Sequence, residues 1–346
     1  MKTAYAADDT AAPERRAKPR SYAVLRLGTI NGSWSSALAV SALGKAAGAV
    51  GLDIEGGYRP ALFIPGRPPQ PLYTDGPGEA TGINIRTEIV GWFRQGSFTQ
   101  AFRWWREQLA TLSSLGGGSS HAAAINNRSE IVGWSEAAPG AAHAVYWWGE
   151  RLIDLGTWGG YAAQATALNE RGDIVGFREV LVDGVGVRQG VRLMRGRRPQ
   201  LLPTLPGYES VVPASINNRG DIGGYMYPAN NYLFGRVAFI YADGKYKLFP
   251  TQSGNPSVGT SLNVHRDLVG YIFDGNADPR DRGIAWLDGG KQSVGLVALP
   301  EALQAGWYAL GGANAINDVG VIVGDGQYRV PPGRRSSEAY MLIPRY

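Results

Sequence analysis

Cysteine is absent from this chain of 346 residues. Its absence excludes disulfides, thiolate metal sites and cysteine nucleophiles, and leaves the compartment open. Histidine is nearly as scarce, with His121, His143 and His265 alone. Three widely spaced imidazoles make no metal-ligand cluster, so no metal centre is expected. Charged residues are 18% of the chain, below the usual quarter, and the net charge is only +5. Arginine is scattered over turns without forming a run, which argues against nucleic acid as a partner. No stretch of about 20 apolar residues occurs, so no membrane-spanning helix is expected. There is no phosphate loop and no dinucleotide fingerprint, and scattered Ser, His and Asp residues do not define a triad.

Glycine and proline are abundant, at 49 and 21 residues. With low charge and tight-turn dipeptides throughout, this is an all-β composition. One phrase organises it. AINNRSEIVGW (124–134) recurs as GINIRTEIVGW (82–92), ALNERGDIVGF (167–177), SINNRGDIGGY (215–225), SLNVHRDLVGY (261–271) and AINDVGVIVGD (315–325), with a degenerate first copy AVSALGKAAGA (39–49). The closing glycines, Gly48, Gly91, Gly133, Gly176, Gly224, Gly270 and Gly324, are 42 to 54 residues apart. A period in that range denotes one supersecondary unit repeated.

The third copy shows the unit. Residues 121–126 read as a first strand, 127–129 as a polar turn and 130–134 as a second strand; 142–148 form an aromatic third strand and 151–155 a fourth. Seven such units predict a seven-bladed β-propeller of four-stranded blades occupying residues 21–346 as one domain. The last repeat stops after a third strand at 339–343, and a spare strand at 21–27 precedes the first repeat. The N-terminal strand is therefore expected to complete the C-terminal blade and leave no open sheet edge. Residues 1–20 are polar and rich in Ala, Pro and charge, and read as a disordered lead-in without the apolar core of a signal peptide.

Within the phrase, the residues one and three before the central aliphatic are small, for example Ala122 and Ala124 before Ile125. Residues two apart share a strand face, so both are expected on one crowded face and the aliphatic on the other. The closing glycine is expected to permit close backbone approach. Glu88, Glu130, Asp173, Asp221 and Asp267, with the turn residues Arg86, Arg128, Arg171 and Arg219, read as solvated structural charges, since a residue present in every unit serves the unit. Trp92, Trp134, Phe177, Tyr225 and Tyr271 fill one slot in five copies and read as blade packing for the same reason.

Two stretches, LIDLGTWGGYAAQATALNERGDIVGF (152–177) and HAVYWWGERL (143–152), resemble the HAF repeat family of bacterial, often exported, propeller-like proteins. The resemblance covers residues 22–346. It implies a kelch-like strand layout and an extracellular or periplasmic location; without a visible signal peptide, a cytoplasmic location is the alternative. It implies no catalytic residues.

Function in a propeller collects on the rim formed by second-to-third-strand loops and blade-to-blade connections. The long insertions there are 178–189, 226–235, 273–282 and 324–337, with 299–312 expected to hold a helical turn. Aromatic and charged residues without counterparts in other repeats suit a ligand by stacking and cation–π contact. Trp34, Tyr161, Tyr208, Tyr227, Trp307, Tyr308, Tyr328 and Arg329 are the candidate ligand-binding set. The leading expectation is a monomeric binding propeller holding a carbohydrate or another small polar-aromatic ligand at the channel mouth. An alternative is a propeller enzyme, a polysaccharide lyase, hydrolase or cyclase, with catalysis drawn from His121, Glu209, Tyr308, Tyr328 and Arg178. A second alternative is a protein–protein interaction platform. No cofactor is expected; Asp274, Asn276 and Asp278 carry alternate oxygen ligands like the start of a calcium loop, but Pro279 and Ala285 stand where that loop needs Gly and Glu.

Overall fold

Each copy of the phrase folds as the inner hairpin of a blade. A computed structural model describes residues 19–346 apart from 53–56, 73, 252, 276–280, 298 and 331–333. In blade three the innermost strand is Ser120–Ile125, and Glu130–Ala138 runs back beside it. Ala141–Trp148 and Arg151–Gly156 complete the sheet. Seven antiparallel four-stranded sheets follow this plan, giving the seven-bladed β-propeller. Of the lead-in expected at 1–20, residues 1–18 lie outside the described residues, while Arg20 donates its backbone N–H to the Arg345 carbonyl at 2.7 Å.

The closing sheet takes its outermost strand from the front of the chain. Ser21–Gly28 pairs with Arg334–Arg345, from Ser21 opposite Arg345 to Arg26 opposite Tyr340. Arg26 fixes the join with a bidentate pair to Glu338, through Nε at 2.9 Å and Nη2 at 2.8 Å. The insertion at 178–189 extends the paired strands Ile174–Val182 and Val185–Leu193, and the described residues of 324–337 lie in the paired strands Ile322–Val330 and Arg334–Arg345. Between blades six and seven lies Pro300–Gln304, the helix among the described residues. No helix among them is long and apolar enough to cross a membrane.

Apolar clusters fill the spaces between blades. Val90 and Ala101 of blade two pack with Ala122, Ile131, Val145 and Trp147 of blade three. A fully buried aliphatic or aromatic side chain is worth about 1.5–3 kcal/mol, so the blades cohere mainly through these seams. The small residues of the first strand do not share a face. Every first strand carries a β-bulge between them, as between Ala122 and Ala124. The extra residue reverses the alternation, so Ala122 joins Ile125 against blade two while Ala124 packs toward blade four. The closing glycine is opposite this bulge. A Cβ on Gly133 would overlap the carbonyl oxygen of His121, and the other six glycines meet the equivalent carbonyl. Close approach was legible; the bulge that demands it was not.

The conserved position of asparagine within the phrase has its own task. Asn84 donates its side-chain N–H to the backbone oxygen of Asn126 in the next blade, at 3.1 Å. Asn126 does so to Asn169, Asn169 to Asn217, Asn217 to Asn263, Asn263 to Asn317, and Asn317 to Ser41 of blade one. Each Oδ1 meanwhile accepts two N–H groups or one of its own turn, as Asn126 does from Arg128 and Glu130. Only the seam from blade one to blade two, where Ser41 replaces asparagine, is bridged otherwise, by Lys45 Nζ to Thr87 Oγ1 at 2.8 Å.

The phrase acids are buried beside this belt, not solvated. Glu88 is 1% exposed and Glu130 2%. Each of four acids meets the arginine two residues earlier, Arg128 to Glu130 at 2.6 Å being the shortest. Several also take a cation from elsewhere, Glu130 from Arg195 at 3.1 Å and Asp221 from Arg266 at 2.9 Å. Burial pushes the Glu130 pKa up, but bonds from Asn126, Arg128 and Tyr146 outweigh it and hold the carboxyl below its ordinary value. Their role is structural as expected; their burial follows from the arginines that cap them.

Candidate ligand site at the channel mouth

At the opposite end of the inner hairpins, the aromatic slot residues meet side chains of the innermost strands. Trp92 is opposite Glu79, Trp134 opposite His121, Phe177 opposite Gln164, Tyr225 opposite Val212 and Tyr271 opposite Val258. Phe177 is buried, whereas Trp92, Trp134, Tyr225 and Tyr271 are only half-buried. The slot is therefore part packing and part surface, a correction to the packing role inferred from its recurrence. In blades one and seven the slot holds Ala49 and Asp325, and Ser36 Oγ donates to Asp325 at 3.0 Å. Half-buried slot aromatics thus stand in blades two, three, five and six, with buried Phe177 in blade four and a polar break at the ring seam.

The best-defined part crosses from blade two to blade three. His121 lies between Trp92 and Trp134, with ring centroids 4.8 and 4.4 Å away and interplanar angles of 22° and 19°. Among the described residues neither ring nitrogen of His121 has a hydrogen-bond partner. Burial between two indoles disfavours the imidazolium and lowers its pKa to about 4. At neutral pH the ring is uncharged, with one N–H donor and one acceptor nitrogen. Trp92 donates its indole N–H to Glu79, whose pKa burial nonetheless raises. Tyr58, tilted against Trp34 at 5.6 Å, senses Glu79 and Arg94; burial, then Glu79, raises its pKa against the opposing Arg94.

A second cluster occupies blades four and five. Arg188 lies 4.6 Å from the Phe177 ring centroid and pairs with Glu179 at 3.0 Å. Tyr161 is 52% exposed and also bonds Glu179; its pKa is raised by burial and then by that carboxylate. Tyr225 stacks on Tyr227 at 6.2 Å, and Tyr232 meets the edge of Tyr227 at 5.6 Å. Arg236 lies over Tyr232 at 4.7 Å and Tyr225 at 5.4 Å.

Of the expected ligand-binding residues, Trp34 and Tyr161 thus lie in these clusters. Tyr227 does too, but at 5% exposure it serves mainly as a support for its neighbours. Trp307 is a correction: it is fully buried among Ala302, Leu310 and Tyr340, because the helix Pro300–Gln304 covers it. Tyr328 has one face under Arg26 at 3.7 Å and its flank against Trp307 at 5.3 Å. Tyr308 is covered by Arg335 at 3.5 Å, with Arg329 5.8 Å away. Tyr208 packs on the blade-five core.

The residues of the catalytic alternative come from four blades. His121 belongs to blade three and Arg178 to blade four, where it bonds Gln189 at 2.9 Å and the Trp158 carbonyl at 2.8 Å. Glu209 is exposed and accepts the Ala229 N–H at 2.8 Å, while Tyr308 and Tyr328 belong to blade seven. In the calcium alternative, Asp274 instead pairs with Arg282 at 3.6 Å, and Asn276 and Asp278 lie outside the described residues.

The face carrying the short turns, which the repeat pattern disfavours as a binding surface, holds a cavity of about 450 Å³ beneath blades five, six and seven. His265, Arg266, Lys247 and Lys291 line it. Its cations are largely engaged: Arg266 with Asp221 and Asp243, Lys291 with Asp288 at 3.0 Å, and Lys247 Nζ with the Gly289 carbonyl at 2.6 Å.

No protein-family model matches the chain, and no curated protein matches it. Among solved structures it is similar to "YCF48 bound to D1 peptide", at 11% identity and a TM-score of 0.53, over 96% of this chain and 99% of that one. It is also similar to a putative TolB from Agrobacterium tumefaciens, at 11% identity and a TM-score of 0.47, over 80% of this chain and 94% of the other. At such identities the likeness to YCF48 concerns the fold alone. The chain is a seven-bladed β-propeller.

Proposed function

We propose that the protein is a binding propeller whose channel mouth holds a carbohydrate. One observation carries the proposal: a neutral imidazole fixed flat between two half-buried indoles, with its nitrogen edge unpartnered. Sugar rings offer C–H faces to aromatic surfaces and hydroxyls that both donate and accept. The Trp92–His121–Trp134 stack with Glu79 supplies both kinds of complement within one patch. A stack pre-formed by packing loses little side-chain freedom on binding, which lowers the cost of holding a ligand.

A glycan-array screen of the protein, followed by calorimetry on each hit, tests this. Trp134→Ala and His121→Ala should each weaken binding about five- to thirtyfold, as aromatic and hydrogen-bonding contacts of about 1–2 kcal/mol require. Hits that bind both variants as tightly as the parent would place the ligand elsewhere and sink the proposal.

A second reading, a protein-binding face, is favoured by exposed apolar side chains on the same rim. Leu181 and Val185 at the blade-four hairpin tip and Leu233 and Phe234 in blade five are 67%, 44%, 55% and 61% exposed. Exposed apolar groups clustered on one rim are a partner signature, and YCF48, whose fold is similar, is described as bound to a D1 peptide. Capture of a partner that Leu181→Asp and Phe234→Asp abolish, with no glycan hit, would favour it.

A further inference from the structure

We infer that the ligand at the mouth is acidic, a uronate-bearing glycan whose carboxylate is received by Arg236; this rests on the carbohydrate proposal above. The blade-four and blade-five cluster has two guanidinium groups on neighbouring rings, Arg188 over Phe177 and Arg236 over Tyr225 and Tyr232. Both lie close enough to Tyr225 to oppose the upward push of burial on its pKa. Nearby carboxylates are accounted for: Glu179 pairs with Arg188, and Glu209 accepts the Ala229 N–H. Arg236 uses only Nε, which donates to the Tyr232 carbonyl at 2.9 Å. Among the described residues its two terminal nitrogens have no hydrogen-bond or ion-pair partner.

A half-buried guanidinium is costly to leave without a counter-charge, and its planar fork matches a carboxylate in two parallel bonds. The Nε bond and the two ring faces fix the plane of that fork in advance. Tyr225 and Tyr232 beside it offer aromatic faces to the sugar that bears the acid. The neighbouring cation Arg188 is already paired with Glu179, so the cluster's guanidinium without an ion-pair partner among the described residues is that of Arg236. Phe177 and Tyr225 hold the same slot as Trp134, so the acid-receiving part continues the aromatic arc that begins at His121.

The test is calorimetry on matched pairs of trisaccharides, each an oligouronate (galacturonate, mannuronate, guluronate or a hyaluronan fragment) and its carboxyl-reduced neutral counterpart. The intact protein should bind at least one uronate ten- to a hundredfold more tightly than its neutral partner. Raising salt from 50 to 200 mM should narrow that gap. Arg236→Gln should abolish the preference by weakening the uronate far more than its neutral partner, and Arg236→Lys should restore part of it as a point charge without the fork. Trp134→Ala should weaken both members of a pair alike. Equal binding within every pair, or a preference that survives Arg236→Gln, overturns the inference and leaves the carbohydrate proposal standing. Failure of all the trisaccharides and of the glycan array together removes both.

Discussion

Replacing Gly133 by alanine should be among the most damaging single-methyl changes in the molecule. The added Cβ would overlap the carbonyl oxygen of His121 and stand 3.0 Å from the Ala122 Cα. The clash is with backbone on the neighbouring strand, so no rotamer change relieves it. Ser120–Ile125 must instead shift away from Glu130–Ala138 at the bulge, loosening the pairing of Ala122 with Gly133. Overpacking of that kind costs about 1–3 kcal/mol, and each weakened backbone hydrogen bond adds about 1 kcal/mol. The reduced freedom of the unfolded chain returns only about 0.4–1 kcal/mol. The net loss should therefore be about 2–3 kcal/mol, and because His121 moves, glycan affinity should fall with it. Gly295→Ala is the control: nothing lies within 4 Å of its added Cβ. That change should be neutral or stabilising by up to about 1 kcal/mol. Urea unfolding monitored by tryptophan fluorescence measures both. A Gly133→Ala midpoint indistinguishable from the parent would refute the close-approach account of the phrase.

Protonation of His121 should destabilise the fold. With the folded pKa near 4 and the ordinary value 6.5, the unfolded chain takes up the proton first. The contribution is complete above pH 6.5 and is lost as pH falls toward 4, by at most about 3 kcal/mol. His121→Gln should flatten the stability profile across that window; an unchanged slope would mean the imidazole is not desolvated. Ring closure can be tested with an introduced disulfide, free of interference because the chain has no cysteine. Ala23→Cys with Ile343→Cys places thiols on directly paired residues. Mild oxidation should link them and stabilise the fold by about 2–4 kcal/mol. Free thiols after oxidation would mean the two strands lie apart.

The architecture was largely legible because a repeat reports its geometry seven times over. Blade number, strand order and the join of residues 21–27 to 339–343 all followed from the spacing and from the missing fourth strand of the last repeat. What recurrence did not distinguish was the burden each repeated residue carries. Asn126 and its equivalents read only as the end of a first strand, yet their side chains link adjacent blades, a contact invisible without the neighbour in place. Glu130 looks like a solvated turn charge until Arg128 and Arg195 are seen to cover it. The bulge before Ile125 hides in a small-residue stretch and reverses the face of Ala122.

The candidate site was less legible, for a related reason. Uniqueness among repeats pointed to Trp307, which the helix just before it, Pro300–Gln304, buries. Recurrence pointed away from Trp92 and Trp134, although the slot they share stands near the open end of the channel, where a packing residue is also a surface residue. The signal available in the sequence was His121 itself, the one polar aromatic inserted between two slot tryptophans.

A crystal structure of the protein with its best-binding uronate trisaccharide would test the mouth site most directly. The account predicts sugar density along the Trp92, His121 and Trp134 edge, with a carboxylate within hydrogen-bond distance of both terminal nitrogens of Arg236. Density in the cavity lined by His265 and Lys247, with the mouth empty, would contradict it.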